Sequence, residues 1–572
     1  MKNLRFFAIF FVAAALLSSC GGLNKMAKDA GLVDYNVTPP VLEMHGGTVD
    51  MTVDVSYPAK YFNKKAIVTV TPILKYEGGE TALDPLVLQG EDVTENFKSV
   101  SYDTGGKASV SNSVEYTDEM LRSELYVNVK ARVKDKEAEM GDVKVADGVI
   151  ATANLVSKKP MVIKFKDKFE RITPKSYEAD IKYVINRADV RRSETMKEEL
   201  SKMSEVLVNT KEDERLELKG LEISAYASPD GELDLNTKLS EKRQNSAEKY
   251  LSGQLKKTEV EVAEELMSMM ATPEDWDGFK KLMEASDIQD KDMILRVLSM
   301  HSDPVVREQE IRNLSAAFEV IAEEILPELR RSKFTVNMAH IGWSDEEIKE
   351  HWANNPDKLK LEELLYGATL FEDNETKAAI YAKATEVSPK CIRAHNNLGA
   401  VKFDMGDLEA AKASFAKAKD IKDTDIVNNN MGAVALAEGD VEKAKELFTA
   451  ALGAGEKANY NLGIVSIIEG DYGAAINYFG AKPSYNAALA KYLNEDGTGA
   501  WTTVVNLPEE NPYKYYLTAV IAASQDKPEV AYENLKNALA VCKQPDMLKD
   551  RAKNDLEFAK LWEEEAFKAI VE

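Results

Sequence analysis

The sequence predicts a multidomain chain: an N-terminal all-β sandwich, a mixed α/β domain with a helical insertion, and a C-terminal all-α solenoid. Three observations predict it. Apolar and polar residues alternate with period two through several segments between about 35 and 158. Strand-like and helix-like periods then interleave from about 160 to 342. From about 358 onward, a Gly-x-x-x-x-x-x-Gly-Asp pattern recurs at intervals of 33 and 31 residues, the mark of stacked helical repeats.

Before the first of these zones lies a leader. Lys2 and Arg5 precede an unbroken apolar stretch from Phe6 to Leu17. It is too short to span a bilayer but suits the core of a signal peptide. It ends in Leu17-Ser18-Ser19-Cys20-Gly21-Gly22, which resembles the lipobox of bacterial lipoproteins. The resemblance implies that residues 1–19 are removed and that Cys20 carries a thioether-linked diacylglycerol. An ordinary signal peptide with an incidental cysteine is the alternative. Two or three acyl chains, palmitate among them, hold a protein firmly in a bilayer, since each buried CH2 contributes about 0.8 kcal/mol. Residues 20–34 then read as a polar, lipidated tether, without the early acidic cluster of some surface-exported lipoproteins. The expected location is the outer membrane, facing the periplasm.

Composition narrows the function classes. A formal net charge of −24 repels phosphate backbones, so nucleic acid is not an expected partner. Besides Cys20 there are only Cys391 and Cys542, which form no CxxC or Cys/His pattern, so neither a disulfide framework nor a zinc site is expected. The five histidines (45, 301, 340, 351 and 395) form no HExxH, and neither a Gly-x-Ser-x-Gly elbow nor a phosphate-binding loop occurs. The expectation is a non-enzymatic protein with no cofactor and no metal.

The zone 35–158 alternates through Met51–Tyr57, Ala66–Leu74, Leu125–Val133 and Val149–Leu155, punctuated by Gly-Gly pairs at 46–47, 78–79 and 105–106. Short strands with regular turns predict an antiparallel, immunoglobulin-like sandwich.

The zone 159–345 offers strand-like Val162–Phe165, Ile181–Ile185 and Leu218–Ala225, and helices over Ser193–Val208 and Asn236–Leu255. The turn Ala225-Tyr-Ala-Ser228-Pro-Asp230-Gly231, followed by Asn236-Thr-Lys-Leu239-Ser240-Glu-Lys-Arg243, resembles the OmpA-like, peptidoglycan-binding domain. So do the segment from Ile181 to Val190 and the closing Leu329-Arg-Arg-Ser-Lys-Phe334-Thr-Val336. The resemblance implies a clamp on the diaminopimelate of a peptide stem, made by a turn Asp and the helix Arg. Here Arg243 is kept, Ser228 stands at the Asp position, and Asp230 lies two residues on. The competing reading keeps the fold for interaction alone, with Arg243 paired to a nearby carboxylate. An insertion at about 257–328 departs from the family and reads as helices over Val260–Met270, Asp275–Ala285, Lys291–Met300 and Val306–Leu329.

In the last zone, 358–572, the pattern is Gly399…Gly406-Asp407, Gly432…Gly439-Asp440 and Gly463…Gly470-Asp471, with Phe415, Phe448 and Phe479 at constant offsets. This resembles the tetratricopeptide repeat. The aromatic is expected to fill the gap between neighbouring units, and the stacked units to form a concave groove for a protein partner. Asn397, Asn429, Asn430 and Asn461 recur on the first helix of each unit and are expected groove residues, because an amide both donates to and accepts from a ligand backbone. Inter-repeat contacts are the alternative use.

Together these features predict a membrane-anchored envelope scaffold that contacts the bilayer through its acyl chains, envelope proteins through its repeats, and peptidoglycan through the α/β domain. The alternatives are a plain tether from outer membrane to peptidoglycan and a surface-exposed, ligand-binding lipoprotein.

Overall fold

The computed structural model describes residues 21–572 apart from Asp290, Leu314 and Glu509. Cys20 and the leader lie outside the described residues. The chain divides into two compact units: one of residues up to Lys166 together with Asp373–Glu572, the other Asp167–Glu372.

The first unit begins with helix α1 (Gly21–Lys28), followed by ten strands: β1 (Asp34–Thr38), β2 (Val41–His45), β3 (Thr48–Tyr57), β4 (Ile67–Tyr76), β5 (Gly79–Ala82), β6 (Leu86–Gly90), β7 (Lys98–Val100), β8 (Gly106–Glu115), β9 (Ser123–Val133) and β10 (Lys136–Ile150). The alternation seen in sequence is realised on β3, β4 and β9, whereas the strand expected over Val149–Leu155 is corrected: β10 ends at Ile150 and Thr152–Leu155 form a 3-10 helix. On β3, Val49, Met51, Val53, Val55 and Tyr57 are buried while their neighbours are not. The expected antiparallel sandwich is corrected to a continuous ten-stranded sheet with the main order β1-β3-β2-β10-β9-β4-β6-β7. The reason is β2, which pairs antiparallel with β3 through Met44 and Val49 and parallel with β10 through Val41 and Asp147. The expected polar tether at 20–34 is also corrected. Leu23 and Met26 on α1 are buried in the core, and the Tyr61 hydroxyl donates to the Met26 carbonyl at 3.1 Å.

Helix pairs make up the rest of this unit. They are α2 (Asn374–Val387), α3 (Ile392–Asp404), α4 (Leu408–Ile421), α5 (Asp425–Glu438), α6 (Val441–Ala450), α7 (Glu456–Ile468), α8 (Tyr472–Phe479), α9 (Tyr485–Leu493), α10 (Gly497–Val505), α11 (Pro512–Ser524) and α12 (Pro528–Val541), ahead of shorter C-terminal helices. Each Gly-Asp dipeptide works as a helix stop and start. Gly406, Gly439 and Gly470 take φ near +80 to +88°, ending one helix. The aspartate that follows then caps the next: Asp407, Asp440 and Asp471 accept from Ala410, Lys443 and Ala474 N–H at 3.2, 2.9 and 2.9 Å.

The β-rich region and the solenoid share one hydrophobic core. The Gly46-Gly47 turn sits so close to the solenoid that a Cβ on Gly46 would stand 2.9 Å from the Glu469 carbonyl oxygen. Beside it the His45 and Tyr472 rings lie 5.7 Å apart.

The second unit is an α/β fold. Strands β11 (Ile172–Lys182), β12 (Leu216–Tyr226), β13 (Met267–Thr272) and β14 (Arg331–Ile341) form a sheet ordered β11-β14-β12-β13, antiparallel except for the β12–β13 pair. Helices Glu198–Glu212 and Leu233–Thr258 cover it, burying Leu200, Met203, Leu207, Ala247 and Leu251 with Ile181, Ile223 and Phe334. The helix expected over Val260–Met270 is corrected: Met267–Thr272 is the edge strand β13. Methionine fits either period, and pairing beside β12 decides it. The helical insertion therefore starts after β13, with a core of its own around Phe279, Met283, Ile294 and Ile325.

Among the described residues, the strand expected at Val162–Phe165 pairs with no strand. Its fate is the main feature of the first unit.

Candidate peptide groove and its occupant

Three successive helix pairs are drawn together by a glycine facing a phenylalanine. A Cβ on Gly399, Gly432 or Gly463 would lie 2.7, 2.8 or 2.5 Å from the ring of Phe415, Phe448 or Phe479. The aromatic sits over the glycine of its own unit, and Phe415 also shares a buried cluster with Val434 of the next unit, in keeping with the expectation that it fills the gap between units. Two residues before each glycine comes an asparagine: Asn397, Asn430 and Asn461, each at most 2 % exposed.

These amides hold residues 157–165, which run extended through the groove as a strap. Asn461 Oδ1 accepts from Met161 N–H at 2.7 Å, and its Nδ2 donates to Met161 O at 3.0 Å. Asn430 grips Ile163 in the same two-pronged way at 2.7 and 2.7 Å, and Asn397 grips Phe165 at 2.7 and 2.9 Å. Asn486, on α9, does so to Ser157 at 2.9 and 3.0 Å. Across the last three clamps the strap advances two residues per repeat, about 6.6 Å of extended chain. It runs antiparallel to the order of the repeats.

A second set of amides reinforces the first. Asn429 and Asn396 donate to Met161 O and Ile163 O, both at 2.9 Å. The asparagines also bond one another in a relay: Asn461 to Asn429 at 2.9 Å, Asn429 to Asn430 at 3.1 Å, and Asn430 to Asn396 at 2.9 Å. Both proposed uses of these residues, backbone recognition and inter-repeat contact, thus coexist in one network. Val162, like Phe403 and Met431, packs against the buried cluster of Ala400, Ala411, Phe415 and Val434.

Sequence reasoning named Asn397, Asn429, Asn430 and Asn461, and the structure brings all four to this floor. It missed Asn486. The fourth repeat has Ala488 and Glu495 where the others have glycines, so the glycine pattern stops there. The signal was nonetheless present: Asn486 precedes Asp496 by ten residues, as Asn461 precedes Asp471. Asp496 caps its helix through Gly499 N–H at 2.8 Å, and Glu495 adopts the left-handed φ of +62° that glycine takes elsewhere. Val504 replaces the phenylalanine opposite Ala488, so a smaller partner offsets the added methyl.

The residues expected at a peptidoglycan site are placed differently. Arg243 is fully buried, and its guanidinium donates to three main-chain carbonyls: Arg187 at 3.0 Å, Tyr226 at 2.8 Å and Val184 at 3.3 Å. Burial brings its pKa down to about 10. Among the described residues it pairs with no carboxylate, and it ties the ends of β11 and β12 together. Asp230 instead pairs with Arg330 at 3.1 Å, and Ser228 bonds both Asp230 and Arg330. A cavity of about 650 Å³ opens beside them, lined by Ile185, Asp230, Arg312, Phe318, Leu326 and Arg330 among others.

A buried polar cluster also lies where the β-rich region meets the last helices. Glu557 accepts from the Thr152 and Tyr492 hydroxyls at 2.6 and 2.8 Å, and Asp555 accepts from the Tyr516 hydroxyl at 2.9 Å. Burial, reinforced by the neighbouring Asp555, pushes the Glu557 carboxyl up to about 7. Among the described residues, no group of three or more His, Cys, Asp or Glu is placed to hold a metal ion. None of the described helices is long and apolar enough to cross a membrane.

The groove geometry meets its family model at α3 and α4. Residues 392–425 match the tetratricopeptide repeat. These are tetratricopeptide repeats. No curated protein matches the chain. Among solved structures, the anaphase-promoting-complex assembly Cut9-Hcn1 is 16% identical over 37% of this chain and 46% of its own, with a TM-score of 0.33. This chain thus spans under half of that protein. A tetratricopeptide repeat protein from Parabacteroides merdae is 16% identical over 37% of this chain and 91% of its own, with a TM-score of 0.30. PilW, a type IV pilus biogenesis factor, is 21% identical over 31% of this chain and 90% of its own, with a TM-score of 0.27.

Proposed function

We propose that the protein is a lipid-anchored, non-enzymatic scaffold of the cell envelope, fixed to the outer membrane through Cys20 and facing the periplasm. Its tetratricopeptide repeats recruit one or more envelope proteins. One observation carries this reading: the repeats share a core with the β-rich region and are strapped to it by residues 157–165, which makes them a fixed platform. α1, with Leu23 and Met26 buried, folds into that core, so an anchor at Cys20 would hold the platform close to the bilayer. Because the groove floor is already filled, a partner engages the strap's outer side or another face of the repeats.

The test is a cross-linked pull-down from cells carrying the full chain. Specific envelope proteins should be retained through the repeats and their strap, and none retained under any growth condition defeats the scaffold reading. Cys20→Ala should release the protein from the membrane fraction.

A second reading, contact with peptidoglycan through an OmpA-like unit, is favoured by the cavity beside the Ser228–Asp230 turn. There Arg330 takes the cationic place that the resemblance gives to Arg243. Co-sedimentation with purified peptidoglycan tests it, and wild type left in the supernatant rules it out.

A further inference from the structure

An extended chain turns the N–H and C=O of successive residues to opposite edges. On the strap, Met161, Ile163 and Phe165 spend theirs on the asparagine floor. Val162 and Lys164 therefore face the other way. Among the described residues neither of their N–H groups donates a hydrogen bond, and Val162 O accepts only from Lys457 Nζ, at 3.1 Å. The strap is thus half of a β-ladder: one edge saturated by amides, the other open along the groove.

Charge marks the same edge. In a chain of net charge −24, the strap carries Lys158, Lys159, Lys164 and Lys166, all exposed. Lys164 pairs with Asp404 at 3.0 Å, while Lys158, Lys159 and Lys166 enter no ion pair among the described residues. Lys457 adds a further cation from α7. Next to the open edge lies a cavity of about 410 Å³, lined by Pro160, Met161, Val162, Lys164, Asp404 and Lys457. Met161 is 39% exposed there, a flexible apolar surface able to adapt to an incoming side chain.

We infer that this edge is a docking site for an acidic, extended protein segment, which adds as a strand to Val162 and Lys164 while its carboxylates meet the strap lysines. Strand addition supplies the affinity through main-chain bonds, and the charges supply the selection. The inference rests on the scaffold reading and gives its partner a chemistry. Other polyanions, which carry no peptide backbone, would meet the lysines but not the edge.

The probe is a fluorescein-labelled octapeptide alternating Glu and Val, titrated by anisotropy into the full chain in detergent. Two controls accompany it: the same peptide N-methylated at alternate residues, and one with Lys in place of Glu. The Glu-Val peptide should bind. Both controls should bind at least about tenfold more weakly, the one for want of main-chain donors and the other for its reversed charge, and the Glu-Val peptide should bind K158E/K159E/K166E several-fold more weakly than the wild type. At saturation the Val162 and Lys164 amides should exchange more slowly with deuterium. The Ile163 and Phe165 amides, already held by asparagine, should stay slow in the variant too, which shows that the strap remains seated.

Absence of binding overturns the inference, and so does equal binding of the N-methylated peptide, which would show charge attraction alone. Unchanged exchange at Val162 and Lys164 overturns it as well. If the peptide fails while the pull-down still retains envelope proteins, this inference falls and the scaffold reading stands. If both fail, both fall.

Discussion

Replacing Asn430 with alanine removes the central clamp of the strap. Asn430 is fully buried and makes four hydrogen bonds: two to Ile163, one to Asn396 and one from Asn429. After the change Ile163 O keeps its bond from Asn396, but Ile163 N–H has no acceptor left. A buried donor without a partner costs about 1–3 kcal/mol. The lost amide relay and the small void add to this, for a total of about 3 kcal/mol. Asn428, two residues earlier on the same helix, bonds Asp423 at 2.7 Å and Lys419 at 2.9 Å, partners that water reaches and can satisfy, so Asn428→Ala should cost about 1 kcal/mol. Urea denaturation of the two variants measures the difference. Amide exchange locates it: Ile163 should exchange about 100-fold faster in N430A and unchanged in N428A. Equal destabilisation of the two, or an Ile163 amide no faster in N430A, would refute the argument that the clamp holds the strap.

Three further changes probe other parts of the same reasoning. Gly432→Ala places a Cβ 2.8 Å from the Phe448 ring and should cost about 1–3 kcal/mol in denaturant melts. The pair Ala488 and Val504 of the fourth repeat indicates that Phe448→Val should recover part of that loss. Glu557 has a folded-state pKa raised to about 7, so its neutral form is the one that suits the fold. Its contribution is therefore greatest below the ordinary carboxylate range and falls by about 3 kcal/mol as pH rises to about 7, and Glu557→Gln should flatten that stretch of the stability–pH curve. Arg243→Lys keeps a charge but cannot reach three carbonyls at once. It should lower the stability of the α/β unit by about 2–4 kcal/mol, and an unchanged melt would show that the three-carbonyl brace is dispensable.

How far the sequence could be read depended on whether a feature was local. Period-two burial on β3 and the Gly-Asp caps of the repeats are set by residues a few positions apart, and both were legible. That asparagines recur on the first helix of successive repeats was legible too. What they hold was not. Val162–Phe165 has the alternation of a strand, and nothing nearby in sequence says that its partners are side-chain amides more than 230 residues away. The role of Arg243 was hidden for a similar reason. A helix arginine two turns beyond an acidic turn looks like a ligand clamp, and only the closure of β11 and β12 shows its donors spent on carbonyls. Strand β13 was read as helix because Met-Ser-Met-Met satisfies both periods, and pairing with β12 decided between them.

The strap poses a question of entropy, because it must wait for its clamps. Ser157 and Asn486 are separated by 329 residues and Phe165 and Asn397 by 232. Closing a flexible loop costs about 0.6 kcal/mol for each doubling of its length, so reaching across some 250 residues instead of some 30 adds only about 2 kcal/mol. The fold reduces even this. The α/β unit that fills most of the interval is closed on itself at its ends. Lys168 N–H bonds Glu362 at 2.7 Å, the Phe169 and Tyr366 rings stack at 4.6 Å, and Arg171 pairs with Asp345. Once that unit has folded, it behaves as a short staple between the strap and the repeats and no longer as a long loop. The remaining closure cost is then small beside the eight hydrogen bonds of the four two-pronged asparagine clamps, each bond contributing about 1 kcal/mol net. A domain inserted between a strap and its groove is therefore compatible with a tightly seated strap, provided the domain brings its own ends together.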